Sequence, residues 1–221
     1  MAGLRSSIED GRDARKKYRS APGFAPAGQS TQMIVGADSA TDRDIVGRAS
    51  TLYDRYALRR VYYSAFSPIP DASAVLPLKR PPLMREHRLY QSDWMMRFYG
   101  YAPGEVAAAA DPATGMLPLD IDPKLAWALR FRDSFPVDVN RAPREALLRV
   151  PGLGVKAVDG IITARKWRRL RLEDVGRLSR SIAKLRPFLI AEDWRPVALS
   201  DRIDPVAVVA PKREQLELFA A

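Results

Sequence analysis

A short glycine-containing stretch has the residue types of an anion-binding turn. Residues 150–156 have the sequence Val-Pro-Gly-Leu-Gly-Val-Lys and lie between two apolar runs with helical spacing. Pro151 is expected to end the first helix, while Gly152 and Gly154 allow positive φ in the turn. The first N–H groups of the next helix have no partners within that helix, and the helix dipole favours an anion there. Because Lys156 adds a full positive charge, the turn suits a phosphate group.

Two short helices must position this turn. Upstream, Asn140 is the expected N-cap and Pro143 is tolerated in the first turn, where its missing N–H would have no partner. The expected core positions of the first helix are Ala146, Leu147 and Val150, and the second helix continues at helical spacing through Val155, Val158, Ile161, Ile162 and Arg165. The alternative is an ordinary helical hairpin in which the glycines only permit a tight turn.

The pattern around this turn resembles the helix-hairpin-helix family of DNA-binding motifs. The matching residues are Leu148, Pro151, Gly152, Leu153, Gly154, Ala157, Ile161 and Arg165. The resemblance implies contact with the DNA phosphate backbone, without reading of base sequence, through Pro151, Gly152, Leu153, Gly154, Val155 and Lys156. Nearby cations extend the predicted DNA-binding set to Arg165, Lys166, Arg168, Arg169, Arg180 and Lys184.

The segment from Leu172 to Leu189 looks like the second half of a tandem helix-hairpin-helix unit. Its hairpin is degenerate, because Leu178-Ser179-Arg180 stands where the family has an apolar residue and a glycine. We expect this second copy to serve packing more than phosphate binding. Trp167 and Trp194 are expected in the core or in an interface.

The charge of the chain favours an anionic partner. The 221 residues carry a formal charge of +10, and residues 138–195 hold 14 Lys/Arg against seven Asp/Glu, or +7 of that total. Such a local excess fits nucleic acid, with an anionic membrane as the other class. No apolar run approaches a membrane span and the N-terminus lacks a signal-peptide core, so we predict a cytoplasmic protein. With no cysteine and one histidine, the chain alone cannot form disulfides, thiolate nucleophiles or almost any zinc or iron-sulfur site.

The N-terminal half has a strand-helix-strand pattern. Strands are predicted at residues 31–35 and 60–66, with a helix capped by Thr41 and Asp44 between them. This order implies a parallel sheet with further strands. A helix over residues 83–99 is predicted to pack its apolar positions on the sheet, namely Leu83, His87, Tyr90, Trp94 and Phe98.

Three segments in this order, residues 24–37, 60–70 and 85–91, followed by a helix-hairpin-helix, are similar to the DNA modification/repair radical SAM protein family. The likeness covers residues 22–190 but only the C-terminal half of the family's architecture. It implies a partial (half) α/β radical-SAM-type barrel, an all-α tandem helix-hairpin-helix domain and a flexible tail. The expected divisions are a charged segment and connector (1–27), the partial barrel (28–135), the DNA-binding domain (136–195), a linker (196–213) and a terminal peptide (214–221).

The same resemblance places residues near an S-adenosylmethionine site. The candidates are Gln29, Ser30, Thr31, Ile34 and Gly36, although Gln32 and Ser39 stand where the superfamily motif has glycine and glutamate. The family's three cluster cysteines are absent from this chain. S-adenosylmethionine and an iron-sulfur cluster are therefore expected only if a cysteine-bearing partner chain completes the barrel.

The C-terminus ends in Gln215-Leu216-Glu217-Leu218-Phe219, which resembles the peptide that docks bacterial repair proteins on the sliding clamp. The expected contacts are Gln215, Leu216, Leu218 and Phe219, presented by an accessible linker. The alternative is a tail that docks on its own domain.

Three hypotheses of function follow. The first is a DNA-backbone-binding module without chemistry of its own; the second is half of a split radical SAM enzyme; the third is a non-functional truncated reading frame. The family also implies a companion that resembles a uracil-DNA glycosylase. No catalytic or metal-binding set is predicted within the chain, because Asp38, Asp42 and Asp44 are explained by caps and a solvated helix face.

Overall fold

The computed structural model of the chain describes residues 1–69, 76–179 and 182–196. They fall into two compact units. Unit 1 comprises Met1–Asp93 and Ala110–Leu117, and unit 2 comprises Trp94–Ala109 and the chain from Pro118 onward. Unit 2 thus contains residues 94–109 and 118–135, which the sequence analysis assigned to the partial barrel.

Unit 1 is built on the predicted strand-helix-strand pattern. Its elements are α1 (Ala2–Lys17), β1 (Ser30–Val35), α2 (Asp42–Tyr56), β2 (Arg60–Ala65) and the first part of α3 (Leu83–Tyr99). Strands β1 and β2 are parallel, with Gln32 opposite Tyr62, as expected from the intervening helix. The predicted cap is confirmed: the Thr41 hydroxyl accepts from the Asp44 N–H at 3.2 Å, and the Asp44 carboxylate accepts from the Thr41 N–H at 2.9 Å.

The sheet of unit 1 is smaller than the sequence predicted. Among the described residues it has two strands and forms no closed barrel, and the next described element after β2 is α3. One face buries Val35, Val61 and Tyr63. On the other face Ile34 and Tyr62 are 49% and 45% exposed, which leaves apolar surface uncovered.

Helix α3 buries a different face from the one predicted. Four of the five positions predicted to pack on the sheet are exposed, namely Leu83, His87, Trp94 and Phe98. Tyr90 is half-buried, and its hydroxyl accepts the N–H of Tyr63 on β2 at 3.1 Å, so this one contact with the sheet is confirmed. The buried positions are Arg85, Arg88, Leu89, Ser92, Asp93 and Met95. The buried face includes an ion pair in which Arg85 Nε donates to Asp42 Oδ1 at 2.6 Å. Asp42 Oδ2 also accepts the N–H of Leu117 at 2.9 Å, so this carboxylate is fully enclosed rather than on a solvated helix face.

Unit 2 is mainly helical. Its elements are α4 (Pro103–Ala107), α5 (Pro123–Arg130), β3 (Val137–Asp138), α6 (Arg144–Arg149), α7 (Val155–Ala164), α8 (Leu172–Leu178), α9 (Ile182–Leu185) and β4 (Leu189–Ile190), with 3-10 turns at Arg132–Ser134 and Arg186–Phe188. Strands β3 and β4 pair in parallel. The core is apolar and includes Leu147, Leu148, Leu153, Val158, Ile161, Leu170, Val175, Leu185 and Phe188. It holds two successive helical hairpins, α6–α7 and α8–α9, at the predicted places.

Candidate nucleic-acid interface

The hairpin turn, residues 151–154, joins α6 to α7. Gly152 has φ of +87°, a conformation that glycine adopts without strain, and it is exposed. Leu153 is 1% exposed and anchors the turn in the core of unit 2. Gly154 is the N-cap of α7 with φ of −102°, so of the two glycines that allow positive φ only Gly152 adopts it.

The entry into α6 differs from the predicted cap. The N-cap is Pro143, and no side chain caps the helix. The Asn140 side chain instead bonds the backbone of Leu170 twice, accepting its N–H at 2.8 Å and donating to its carbonyl at 3.1 Å. Asn140 therefore ties the start of this hairpin to the segment before α8. Along α6 the buried residues are Leu147 and Leu148, while Ala146 is half-buried.

The predicted cations divide into paired and unpaired groups. Arg165 Nη1 donates to the carbonyls of Val139 and Ala142 at 3.1 and 2.7 Å, so its guanidinium holds the end of α7 against the loop before α6. Arg168 forms two hydrogen bonds to Asp174, at 2.9 and 2.5 Å. The Arg168 guanidinium lowers the pKa of the Asp174 carboxyl below its ordinary value, and the Arg171 N–H adds to this effect.

Three predicted cations remain available for a ligand. Lys156, Lys166 and Arg169 are exposed, and within the described ranges the structure records no ion pair for any of them. Lys184 is half-buried beside the turn, with its Cβ 3.5 Å from the position that a Cβ on Gly152 would take. Arg180 lies outside the described residues. The cations available to an anionic ligand are thus one lysine at the start of α7, Lys156, and two residues just beyond its end, Lys166 and Arg169.

A buried lysine behind the turn was missed by the sequence analysis. The Lys124 ammonium donates to the Leu153 carbonyl at 2.6 Å and lies 4.7 Å from the centre of the Tyr99 ring. Because the side chain is 7% exposed, burial lowers the pKa of Lys124 to about 7. The sequence did contain a sign of this burial, because Lys124 is the one charged residue in the apolar run Pro123–Leu129.

The aromatic cleft lies beside the hairpin turn, within unit 2. Its volume is about 610 Å³, and its lining residues are Trp94, Phe98, Tyr99, Gly152, Gly154, Val155, Lys156, Ala157, Leu178 and Ser179. Trp94 and Phe98 are 51% and 49% exposed. Sequence reasoning found their periodicity but assigned both side chains to the core.

The remaining tryptophans differ from each other. Trp167 is 86% exposed, so it does not lie in a core, and its expected place in an interface stays a prediction. It stands in the turn after α7, between Lys166 and Arg168, where no apolar surface of the described chain covers it. Trp194 is half-buried, and its indole N–H donates to the Arg186 carbonyl at 3.0 Å.

The five cofactor candidates do not form one site. Gln29 donates to the Tyr56 carbonyl at 2.6 Å, and a Cβ on Gly36 would lie 2.8 Å from Pro81. Ser30 and Ile34 point to the exposed face of the sheet, whereas Thr31 points to the opposite face and lines a cleft with α2 residues. In this chain alone they do not line one cleft, and their contact with S-adenosylmethionine stays a prediction that depends on a partner chain. Among the described residues no group of three or more His, Cys, Asp or Glu could hold a metal ion.

No known protein family, curated protein or solved structure matches this chain. Function is therefore inferred from the geometry and charge of the site itself. In the part of the chain that the structure describes, no helix has the length and apolar character needed to cross a membrane. The predicted clamp contacts, Gln215 to Phe219, and the linker beyond Pro196 lie outside the described residues.

Proposed function

We propose that unit 2 binds DNA through its phosphate backbone, with the hairpin turn and the start of α7 as the main contact. The observation that carries this proposal is the open N-terminus of α7 after a glycine turn, next to the exposed Lys156. The first N–H groups of α7 have no partners within the helix and carry the positive end of its dipole. A phosphate oxygen satisfies those donors, and the lysine neutralises its charge.

A second contact lies beyond the other end of α7. Its ten residues span about 15 Å, which separates Lys156 from the exposed Lys166 and Arg169. Two separated cationic points hold a strand in a defined orientation better than one point does. Backbone amides and these long cations contact phosphates without reading base edges, so the proposed binding is independent of sequence.

The test is charge reversal at Lys156. Lys156→Glu should weaken binding of short labelled DNA of two unrelated sequences by the same factor, about ten-fold, and should lower the slope of log affinity against log salt by about one. The triple variant Lys156→Glu/Lys166→Glu/Arg169→Glu should lose more DNA affinity than Lys156→Glu alone. Fluorescence anisotropy at several salt concentrations gives both quantities.

The matched control is Lys79→Glu, which makes the same charge change at an exposed loop lysine of unit 1. It should leave the affinity within about two-fold, because the change in total charge alone acts weakly once salt screens it. Equal losses in the Lys79 and Lys156 variants would show general charge attraction and refute a contact at the turn.

The second candidate function is a split radical SAM enzyme, favoured by the uncovered face of the β1–β2 sheet. Parallel sheets are normally covered on both faces, and Ile34 and Tyr62 expose apolar surface there. A cysteine-bearing partner would supply the iron-sulfur cluster, since this chain has no cysteine. The test is co-purification with such a chain encoded beside it; a colourless preparation without partner would count against this function.

Recruitment to a sliding clamp, in the cytoplasm, completes the proposal. It rests on the residues Gln215, Leu216, Leu218 and Phe219 of the terminal sequence. Deletion of the last eight residues should abolish clamp affinity and leave DNA affinity unchanged. A companion that resembles a uracil-DNA glycosylase is proposed from the family resemblance alone.

A further inference from the structure

Helix α3 exposes two large aromatic side chains on successive turns. Trp94 and Phe98 are 51% and 49% exposed, and their rings meet edge to face with centroids 6.1 Å apart. Single exposed apolar residues are common, but two adjacent aromatic rings at the wall of a cleft mark a binding surface. This pair is exposed because α3 buries another face, which carries Arg85 and Asp93 together with Leu89 and Met95.

The cleft that they line has the size and shape of a ligand site. Its volume of about 610 Å³ lies within the range of roughly 300–1,000 Å³ that small-molecule sites occupy. The hairpin turn also lines the cleft, and there Gly152 and Gly154 present backbone rather than side chains. A Cβ on Gly154 would lie 3.7 Å from the Tyr99 hydroxyl, so a larger side chain there would narrow the cleft.

The charge of the lining selects an anionic occupant. Among the described residues that line the cleft none is acidic, and the charged one is Lys156. Behind the turn, the Lys124 ammonium adds a second positive charge when it is protonated. Flat aromatic faces together with a cation at the rim match a nucleotide, which has a planar base joined to a phosphate.

We propose that the aromatic cleft takes an unpaired base of the DNA strand whose phosphate is held at the start of α7, with the base stacked on Trp94 or Phe98. This inference rests on the proposed DNA binding and deepens it. A base inside a duplex is stacked on its neighbours and cannot enter the cleft without leaving the helix. The protein should therefore prefer single-stranded, gapped or damaged DNA over intact duplex.

The test compares single-stranded and duplex DNA with variants of the two aromatic residues. The Trp94→Ala/Phe98→Ala variant should lose about ten-fold or more in affinity for a single strand and should bind duplex as the wild type does. Trp94→Phe, which keeps an aromatic face, should retain most of the affinity. Met84→Ala is the matched control, because Met84 is an exposed apolar residue on α3 that does not line the cleft.

A chemical change in the DNA tests the same contact without altering the protein. A single strand with abasic sites keeps its phosphates but has no bases to stack at those sites. The wild type should bind it as weakly as the aromatic variant binds the intact strand. The aromatic variant should bind intact and abasic strands equally.

The outcomes separate this inference from the proposed function. If Lys156→Glu weakens binding of both DNA forms while the aromatic variant binds single strands normally, the stacking inference is overturned and backbone binding stands. If Lys156→Glu changes nothing, the proposed function fails. Equal losses of the aromatic variant on single-stranded and duplex DNA would also overturn base stacking, since a structural defect would act on both.

Discussion

The interiors of the two units are stabilised in different ways. Unit 1 has an apolar core, but it also buries charged and polar side chains, namely Asp42, Arg85, Arg88, Ser92 and Asp93. Among the described residues of unit 2, the buried side chains are almost all apolar, and Lys124 is the buried charge. The difference matters for function, because the side of α3 that carries Arg85 and Asp93 is the buried one, together with Leu89 and Met95. Trp94 and Phe98 lie outside that buried side and line the cleft.

Buried charges and buried leucines respond differently to mutation. A buried ion pair contributes little net stability, because desolvation offsets most of the attraction, but loss of one partner leaves an unpaired charge in a medium that solvates it poorly. A buried leucine contributes through its removal from water and through close packing. The comparison between the units can therefore be tested with one substitution in each.

The largest effect is expected at the buried ion pair of unit 1. Arg85→Met removes the partner of the fully buried Asp42, so the free energy of unfolding should fall by roughly 3–5 kcal/mol. Urea unfolding followed by far-UV circular dichroism measures it, with Arg80→Met at an exposed position as control. The Asp42→Leu/Arg85→Met variant should recover part of the loss. A loss below about 1 kcal/mol would show that unit 1 does not depend on this pairing.

The next effect is expected in the apolar core of unit 2. Leu148 is 2% exposed, so Leu148→Ala should lower the free energy of unfolding by about 2–4 kcal/mol through lost burial and the cavity that remains. The same truncation at Leu78, which is 93% exposed, should change it by less than about 0.5 kcal/mol. Tryptophan fluorescence during urea unfolding suits this measurement, because all four tryptophans belong to unit 2.

The same contrast explains which parts of the structure could be predicted from the sequence. The α6–α7 hairpin was predicted correctly because its signals are local: Pro151 and Gly152 define the turn, and Leu147 and Val158 follow helical spacing into an apolar core. The strand-helix-strand pattern of unit 1 was also correct, since the capping box of α2 involves residues only three positions apart.

Predictions failed where distant residues decide the conformation. The buried face of α3 depends on Asp42, which is 43 residues from Arg85 in the sequence, and apolar periodicity carries no information about that pair. Asn140 was expected to cap α6, but its side chain bonds Leu170, 30 residues away. Arg165 likewise contacts backbone carbonyls across the hairpin, which a count of positive charges cannot reveal.

Lys124 is the buried charge in unit 2, and it should make the stability of the protein depend on pH. Burial lowers its pKa from 10.5 to about 7, so between these values the unfolded chain binds a proton that the folded chain lacks. The free energy of unfolding should therefore rise with pH from about 7 upward, by at most about 1.4 kcal/mol per pH unit from this group. Below about pH 7 both states are protonated, and this dependence disappears.

The measurement compares the wild type with Lys124→Met by urea unfolding between about pH 7 and pH 9. The difference in unfolding free energy between the two proteins should grow with pH in favour of the wild type. In the control Lys79→Met, which changes an exposed lysine, the unfolding free energy should show the same pH dependence as in the wild type. If the unfolding free energy of Lys124→Met followed the same pH dependence as that of the wild type, the ammonium would have its ordinary pKa. Burial in unit 2 would then not perturb this charge.

The smallest effect on stability concerns the two glycines of the hairpin turn, for which the sequence predicted the same conformational role. Gly152→Ala forces an alanine to φ near +87° and brings its Cβ to 3.2 Å from a terminal methyl of Leu185, so a loss of about 1–2 kcal/mol is expected. Gly154→Ala keeps an ordinary extended backbone and a 3.7 Å contact, so stability should be nearly unchanged. The urea unfolding midpoints of the two variants, each compared with the wild type, measure this difference. If the two substitutions cost the same, backbone conformation does not set the turn, and the apolar anchoring of Leu153 must hold it alone.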